Sequence, residues 1–219
     1  MARKKDERHK QVNNSHYIIQ TWTSQGENIR WNRQQSFFKN NNPITLELAC
    51  GRWEYSVWLW NLSPQQNFIG IDIKWERLRH GAEITKEQWL KNVWFLRSKI
   101  HFLQDFFETN EIDEIRIVHP DPRSKWVDER RRLSHQRFLD IYKDILKPNG
   151  ILRLKTDDAN LFFYSYRSLQ NAGRTIHDYT RDLYNSPLLV DHHGIKTHYE
   201  QKFVQEWRTI HYLIAENTK

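Results

Sequence analysis

Between residues 44 and 170, short apolar runs alternate with longer segments in which apolar side chains recur every three or four positions. Residues 44–48, 68–73, 93–96, 113–118 and 151–155 are brief and rich in Ile, Val, Leu and Phe, and they read as strands. Residues 54–62, 75–90, 134–146 and 159–170 read as helices, with Leu133, Phe138, Ile141, Tyr142 and Ile145 showing the helical spacing most plainly. Ser63-Pro64 stops the first helix, and Lys147-Pro148-Asn149-Gly150 turns the third into a strand. Parallel strands need long crossovers, and helices supply them, so repeated strand–helix alternation predicts a mostly parallel sheet with helices on both faces. Two later apolar segments, residues 175–179 and 210–215, are expected to pair antiparallel at one edge. The predicted fold class is α/β, a Rossmann-like arrangement with an antiparallel edge strand.

Ahead of the first strand the periodicity fades. Residues 1–10 are mostly charged, and residues 11–42 are polar and rich in Asn and Gln, ending in Lys39-Asn40-Asn41-Asn42-Pro43. Residues 1–42 therefore read as a polar, basic N-terminal arm that is partly mobile, and residues 43–219 as one domain.

Composition adjusts this picture. Ten Trp, nine Tyr and eleven Phe allow a chain that is only 38% hydrophobic to bury a full core. A net charge of +7 favours an acidic partner such as nucleic acid. The single cysteine, Cys50, excludes an intramolecular disulfide and fits a reducing compartment. No apolar run approaches the roughly 20 residues that span a bilayer. Residues 1–10 also lack the apolar centre of a signal peptide, so a cytoplasmic protein without a membrane partner is expected. Eleven histidines invite a metal reading, but no Cys/His/Asp set has zinc-type spacing, and no metal is expected.

Two places carry candidate chemistry. The first strand ends in Glu47-Leu48-Ala49-Cys50-Gly51 before a helix, and Asp72 closes the second strand. An acid, a small-residue turn and a helix N-terminus make a nucleotide-type pocket, in which an acid like Asp72 accepts both hydroxyls of a ribose. The other place is Val118-His119-Pro120-Asp121-Pro122, followed by Lys125. The prolines stiffen the turn around Asp121 just past a buried strand, at the sheet edge where ligands bind in open α/β folds. Arg123, Lys125, Arg130, Arg131, Arg132 and Arg137 follow as the densest basic segment, suited to a phosphate track, with Trp126 as a stacking residue or, equally, a core or lid residue.

With these residues in view, the chain resembles the S-adenosylmethionine-dependent tRNA (guanine-N7)-methyltransferases. The resemblance runs from about residue 44 to 212. It rests on Glu-Leu-Ala-Cys-Gly at 47–51, Phe-Ile-Gly-Ile-Asp at 68–72, Pro-Asp-Pro at 120–122 with Lys125, Lys-Thr-Asp at 155–157 and Thr-His-Tyr-Glu at 197–200. It implies a class I methyltransferase domain over residues 43–219 that moves a methyl group to N7 of a guanine in the variable loop of tRNA. Glu47, Gly51 and Asp72 would bind the cofactor, Asp121 would act beside the target base, and Lys125, Asp157, Thr197, His198, Tyr199 and Glu200 would contact the substrate. Guanine N7 is already a lone-pair nucleophile, so alignment and charge stabilisation suffice, and carboxylates serve both.

The resemblance has departures. Of the family's loop Glu-x-Gly-x-Gly-x-Gly only Gly51 remains, with Ala49 and Trp53 at the other glycine positions. Ala49 is a mild change at negative φ, whereas an indole at Trp53 either points outward or intrudes on the cofactor. Lys99 stands where many members carry an adenine-binding acid or amide, and Arg123 stands where an aromatic is common. These changes keep open a second reading, an RNA-binding protein of the same fold that has lost activity.

Overall fold

The computed structural model describes residues 15–20, 37–51, 58–60, 62–196, 200, 205–206 and 208–219. Trp53, Thr197, His198 and Tyr199 lie outside the described residues, as does much of the 1–42 segment. The chain divides into two compact units, residues 1–108 and 109–219.

The first unit holds β1 (Ile18–Gln20), β2 (Ile44–Leu48), β3 (Asn67–Asp72) and β4 (Val93–Arg97), in the order β1-β4-β3-β2. All three pairings are parallel. Every residue of β2 and β3 is buried, including the polar Thr45, Glu47, Asn67 and Asp72, as expected for parallel strands covered on both faces. Helix α1 (Trp75–Glu87) packs on β1, β3 and β4, burying Leu78, Gly81, Ala82 and Thr85. The spacing predicted a helix to residue 90, but it ends at Glu87. Trp89 turns left-handed at φ 57°, its N–H donates to the Lys86 carbonyl, and the Leu90 N–H returns 3.0 Å to the Thr85 carbonyl. This paired closure buries Leu90, so an apolar residue at helical spacing belongs to the cap and not to the helix. Strand β1 lies within the segment read as an arm: Ile18 and Ile19 are buried, and the strand pairs with β4.

The second unit holds β5 (Ile112–Val118), β6 (Leu146–Thr156), β7 (Thr175–Thr180) and β8 (His211–Glu216), in the order β5-β6-β8-β7. Strands β5 and β6 are parallel, and β8 runs antiparallel to both β6 and β7, matching the expected edge. The polar sequence of β7 suits its position as the last strand in this order. Helix α2 (Gln136–Ile145) buries Phe138, Leu139, Tyr142 and Ile145 and packs on β6 and on α3 (Ala159–Asn171). The turn expected at residues 147–150 is instead a bulge inside β6: Ile112 pairs with Leu146, and pairing resumes at Glu114 with Ile151.

Candidate active site

In the first unit, strand pairing sets Glu47 opposite Gly70 and Leu48 opposite Ile71, so the ends of β2 and β3 lie side by side. Glu47 is buried. The chain leaves β2 through two left-handed residues, Ala49 at φ 54° and Gly51 at φ 58°. The mild reading of Ala49 required a negative φ and does not hold. An alanine here bears roughly 1–2 kcal/mol of strain that glycine would not. The Asp72 carboxylate organises this turn: it accepts the Gly51 N–H at 3.1 Å, the Lys74 N–H at 2.8 Å and Arg77 Nη1 at 3.4 Å. A carboxylate offers about four acceptor positions. Gripping two ribose hydroxyls therefore requires Arg77, the longest contact and a half-exposed side chain, to swing aside. Burial pushes the Cys50 thiol well above its usual range, and the Glu47 and Asp72 carboxylates push it further, so this thiol is inert.

These residues fit an adenosyl cofactor. Two carboxylates end adjacent strands, and among the described residues a side-chain carbon added at Gly51 would meet nothing closer than 3.9 Å. Lys99 has no side-chain acceptor to offer an adenine. It is exposed, its ammonium lies 6.0 Å from the Phe102 ring centre, and its backbone opens the short turn Ile100–Phe102.

In the second unit, Asp121 sits on the turn after β5 with its side chain 61% exposed. Left-handed residues flank the turn, His119 at φ 45° and Arg123 at φ 48°. Asp121 accepts the Arg123 N–H at 3.2 Å and faces Arg123 Nε at 3.1 Å. The Arg123 carbonyl in turn takes a fork from Arg132, whose Nε and Nη2 lie at 3.3 and 3.2 Å. The Arg132 guanidinium stacks 4.4 Å over the Tyr164 ring. The prolines are thus not the sole restraint on this turn: the Arg132 fork holds it as well. Lys125 is exposed and precedes the short helix Trp126–Arg131. Trp126 is 83% exposed, which removes the core option for its indole.

Asp157 follows β6. The helix cap beside it is Asp158, which accepts the Leu161 N–H at 2.7 Å, leaving Asp157 for other partners. Asp157 contacts His119 Nδ1 at 3.3 Å and Arg208 Nη1 at 2.9 Å. Burial alone would raise its carboxyl, but hydrogen bonds from His119, its own backbone and Arg208 bring it below the usual range.

Glu200 has a fully buried side chain, 2.6 Å from Lys155 Nζ and 3.5 Å from His119 Nε2, and it accepts the Tyr184 hydroxyl at 2.5 Å. Against the cost of burial, His119 and Lys155 lower its carboxyl to about 2. Lys155 is 1% exposed and also donates to the Ile195 carbonyl at 3.1 Å. It lies 2.8 Å from His192 Nε2, which can accept its N–H only while the His192 ring is neutral; burial and Lys155 accordingly hold His192 down to about 2. From sequence, Lys155 reads only as part of a motif, His119 only as the residue before Pro120, and His192 only as a histidine without zinc-type spacing. A lysine near the end of a strand rich in Ile and Leu was the available signal, because a buried charge demands a partner. Nothing local named that partner.

Among the described residues, no group of three or more His, Cys, Asp and Glu side chains could hold a metal ion, and no helix is long and apolar enough to cross a membrane.

Comparison with known proteins places these features in context. A family model described as "Putative methyltransferase" matches residues 41–213. A tRNA (guanine-N(7)-)-methyltransferase of Cytophaga hutchinsonii is 39% identical, covering 99% of this chain and 98% of its own. One of the same name from Christiangramia forsetii is 42% identical over 82% of this chain and 80% of its own. Among solved structures, a SAM-dependent methyltransferase from Aquifex aeolicus aligns with a TM-score of 0.56 at 14% identity, covering 97% of this chain and 98% of its own. That likeness carries the Rossmann-like methyltransferase fold.

Proposed function

This chain belongs to the tRNA (guanine-N7)-methyltransferase family, and on that premise we propose that it methylates N7 of a guanine in the variable loop of tRNA. Family membership across nearly the whole chain carries this reading. S-adenosylmethionine is the cofactor, and when bound it supplies an electrophilic methyl group on a sulfonium. Glu47, Gly51 and Asp72 would hold it, Asp72 through the ribose once Arg77 swings aside. The N7 lone pair would take the methyl group as its bond to sulfur breaks, leaving S-adenosylhomocysteine as a neutral thioether and the positive charge on the purine. Asp121 is exposed and stiffly held, so it can accept from the N1–H and N2–H₂ edge and stabilise that charge with little reorganisation. Lys125, Asp157, Thr197, His198, Tyr199 and Glu200 form the substrate side. Of these, Glu200 acts through His119 and Lys155, because its own carboxylate is buried. Trp126 and the surrounding arginines suit stacked bases and phosphates. Residues 43–219 act as the catalytic domain, with β1 from the preceding segment completing its sheet, and the cytoplasm is the proposed compartment. An RNA-binding protein without activity is not favoured by this membership.

Unmodified tRNA incubated with the protein and methyl-labelled S-adenosylmethionine should yield 7-methylguanosine in the variable loop. Asp121→Asn should lower kcat by roughly 10²-fold. No transfer, or methylation elsewhere on the base, overturns the reading.

A further inference from the structure

We propose that His119 is a positioning residue for the transfer, its imidazole clamped between Asp157 and Glu200 so that it fixes the Pro120-Asp121-Pro122 turn. The proposal rests on the methyltransferase reading above and adds a residue to it.

Three observations carry it. His119 joins β5 to the turn, and its N–H extends the ladder by donating to the Lys155 carbonyl at 2.8 Å. Its φ of 45° would suit glycine better than a ring-bearing residue, so the side chain must offset the strain. The side chain is 10% exposed, and each ring nitrogen faces a different carboxylate, Nδ1 to Asp157 at 3.3 Å and Nε2 to Glu200 at 3.5 Å. A neutral imidazole carries one N–H and can donate to one of them; only the imidazolium donates to both.

The charged neighbours include both signs. Asp157 and Glu200 attract the imidazolium, while Lys155 repels it. Arg208 neutralises part of Asp157, and His192 is the neutral partner of Lys155. Burial presses His119 toward neutrality, yet the two carboxylates outweigh burial and Lys155 and raise it above its usual value. The clamp is closed in the imidazolium form, which these carboxylates favour. When the proton leaves, one ring nitrogen presents a lone pair to a carboxylate, and the turn bearing Asp121 loses a restraint. Displacements near 1 Å can cost about 10²-fold in reactions that depend on alignment.

The test pairs kinetics with spectroscopy on the full chain. In the wild type, kcat should fall at alkaline pH with the same midpoint as the His119 imidazole titration, read by NMR of protein carrying ¹⁵N-histidine. His119→Gln should lower kcat at pH 7 by roughly 10-fold and flatten that alkaline limb. Its affinity for S-adenosylhomocysteine, measured by calorimetry, should stay within about twofold, because the cofactor residues lie elsewhere in the chain. Wild-type kcat and an unchanged limb in the variant overturn the proposal. So does a wild-type His119 ring already neutral at pH 6, a measurement that needs no variant to fold. Absence of transfer by the wild type defeats the methyltransferase reading instead, so the two failures are told apart.

Discussion

Lys155 Nζ lies 2.6 Å from Glu200 Oε2 at a place where both side chains are shielded from water. Removing one partner of such a buried pair typically costs about 3–5 kcal/mol, because the survivor keeps its desolvation penalty. The titrations around the pair predict how stability follows pH. Glu200, at about 2 in the fold against 4.5 ordinarily, contributes stability that is lost as pH falls below its ordinary value. His192 is held at about 2 against 6.5, so below pH 6.5 the unfolded chain takes up a proton that the folded chain refuses, which again costs stability on the acid side. His119 is raised, so its contribution is complete below 6.5 and disappears as pH climbs through its folded value. The thermal unfolding midpoint should therefore peak near pH 6.5 and fall to either side. A midpoint that keeps rising from pH 6.5 to pH 4 contradicts this assignment. None of these partners is visible from single positions: Lys155 read as a motif letter, and His119 as the residue before a proline.

At the scale of elements, most strands and helices were legible because their signals are local. The buried runs of β2 and β3, the apolar face of α2 and the acids ahead of α3 each lie within a few residues of one another. Ends were less legible. Helix α1 stops before Leu90 because Trp89 takes the left-handed cap position, which composition would assign to glycine. The bulge in β6 was read as a turn because Pro148, Asn149 and Gly150 are turn residues wherever they fall. Gly150 has a packing reason: an added side-chain carbon would lie 2.9 Å from the Lys147 carbonyl oxygen and 3.2 Å from that of Asp113. Both are backbone atoms that cannot yield cheaply. Gly150→Ala should destabilise the protein by about 1–3 kcal/mol in urea unfolding, and a change under about 0.5 kcal/mol would show that the bulge relaxes freely.

For the whole molecule, a net charge of +7 and a polyanionic substrate make association dependent on salt. Each phosphate neutralised releases counterions, so the KM for tRNA should rise at least about tenfold between 50 and 200 mM salt, while the KM for S-adenosylmethionine changes little. Equal salt response of both constants would remove the phosphate-track role from Arg130, Arg131 and their neighbours. The sequence by itself determined the α/β class, the family, the cofactor and the place of Asp121, since these rest on periodicity and on motifs whose order along the chain is diagnostic. Only the tertiary structure decided how the carboxylates are used. Asp72 is engaged by Gly51 and Arg77, Asp157 is freed from capping by Asp158, and Glu200 is turned inward to Lys155 and His119. The physical reason is separation along the chain: His119 meets Asp157 across 38 residues and Lys155 meets His192 across 37. Strand pairing and burial bring such groups together, and no pattern within a few residues encodes that meeting.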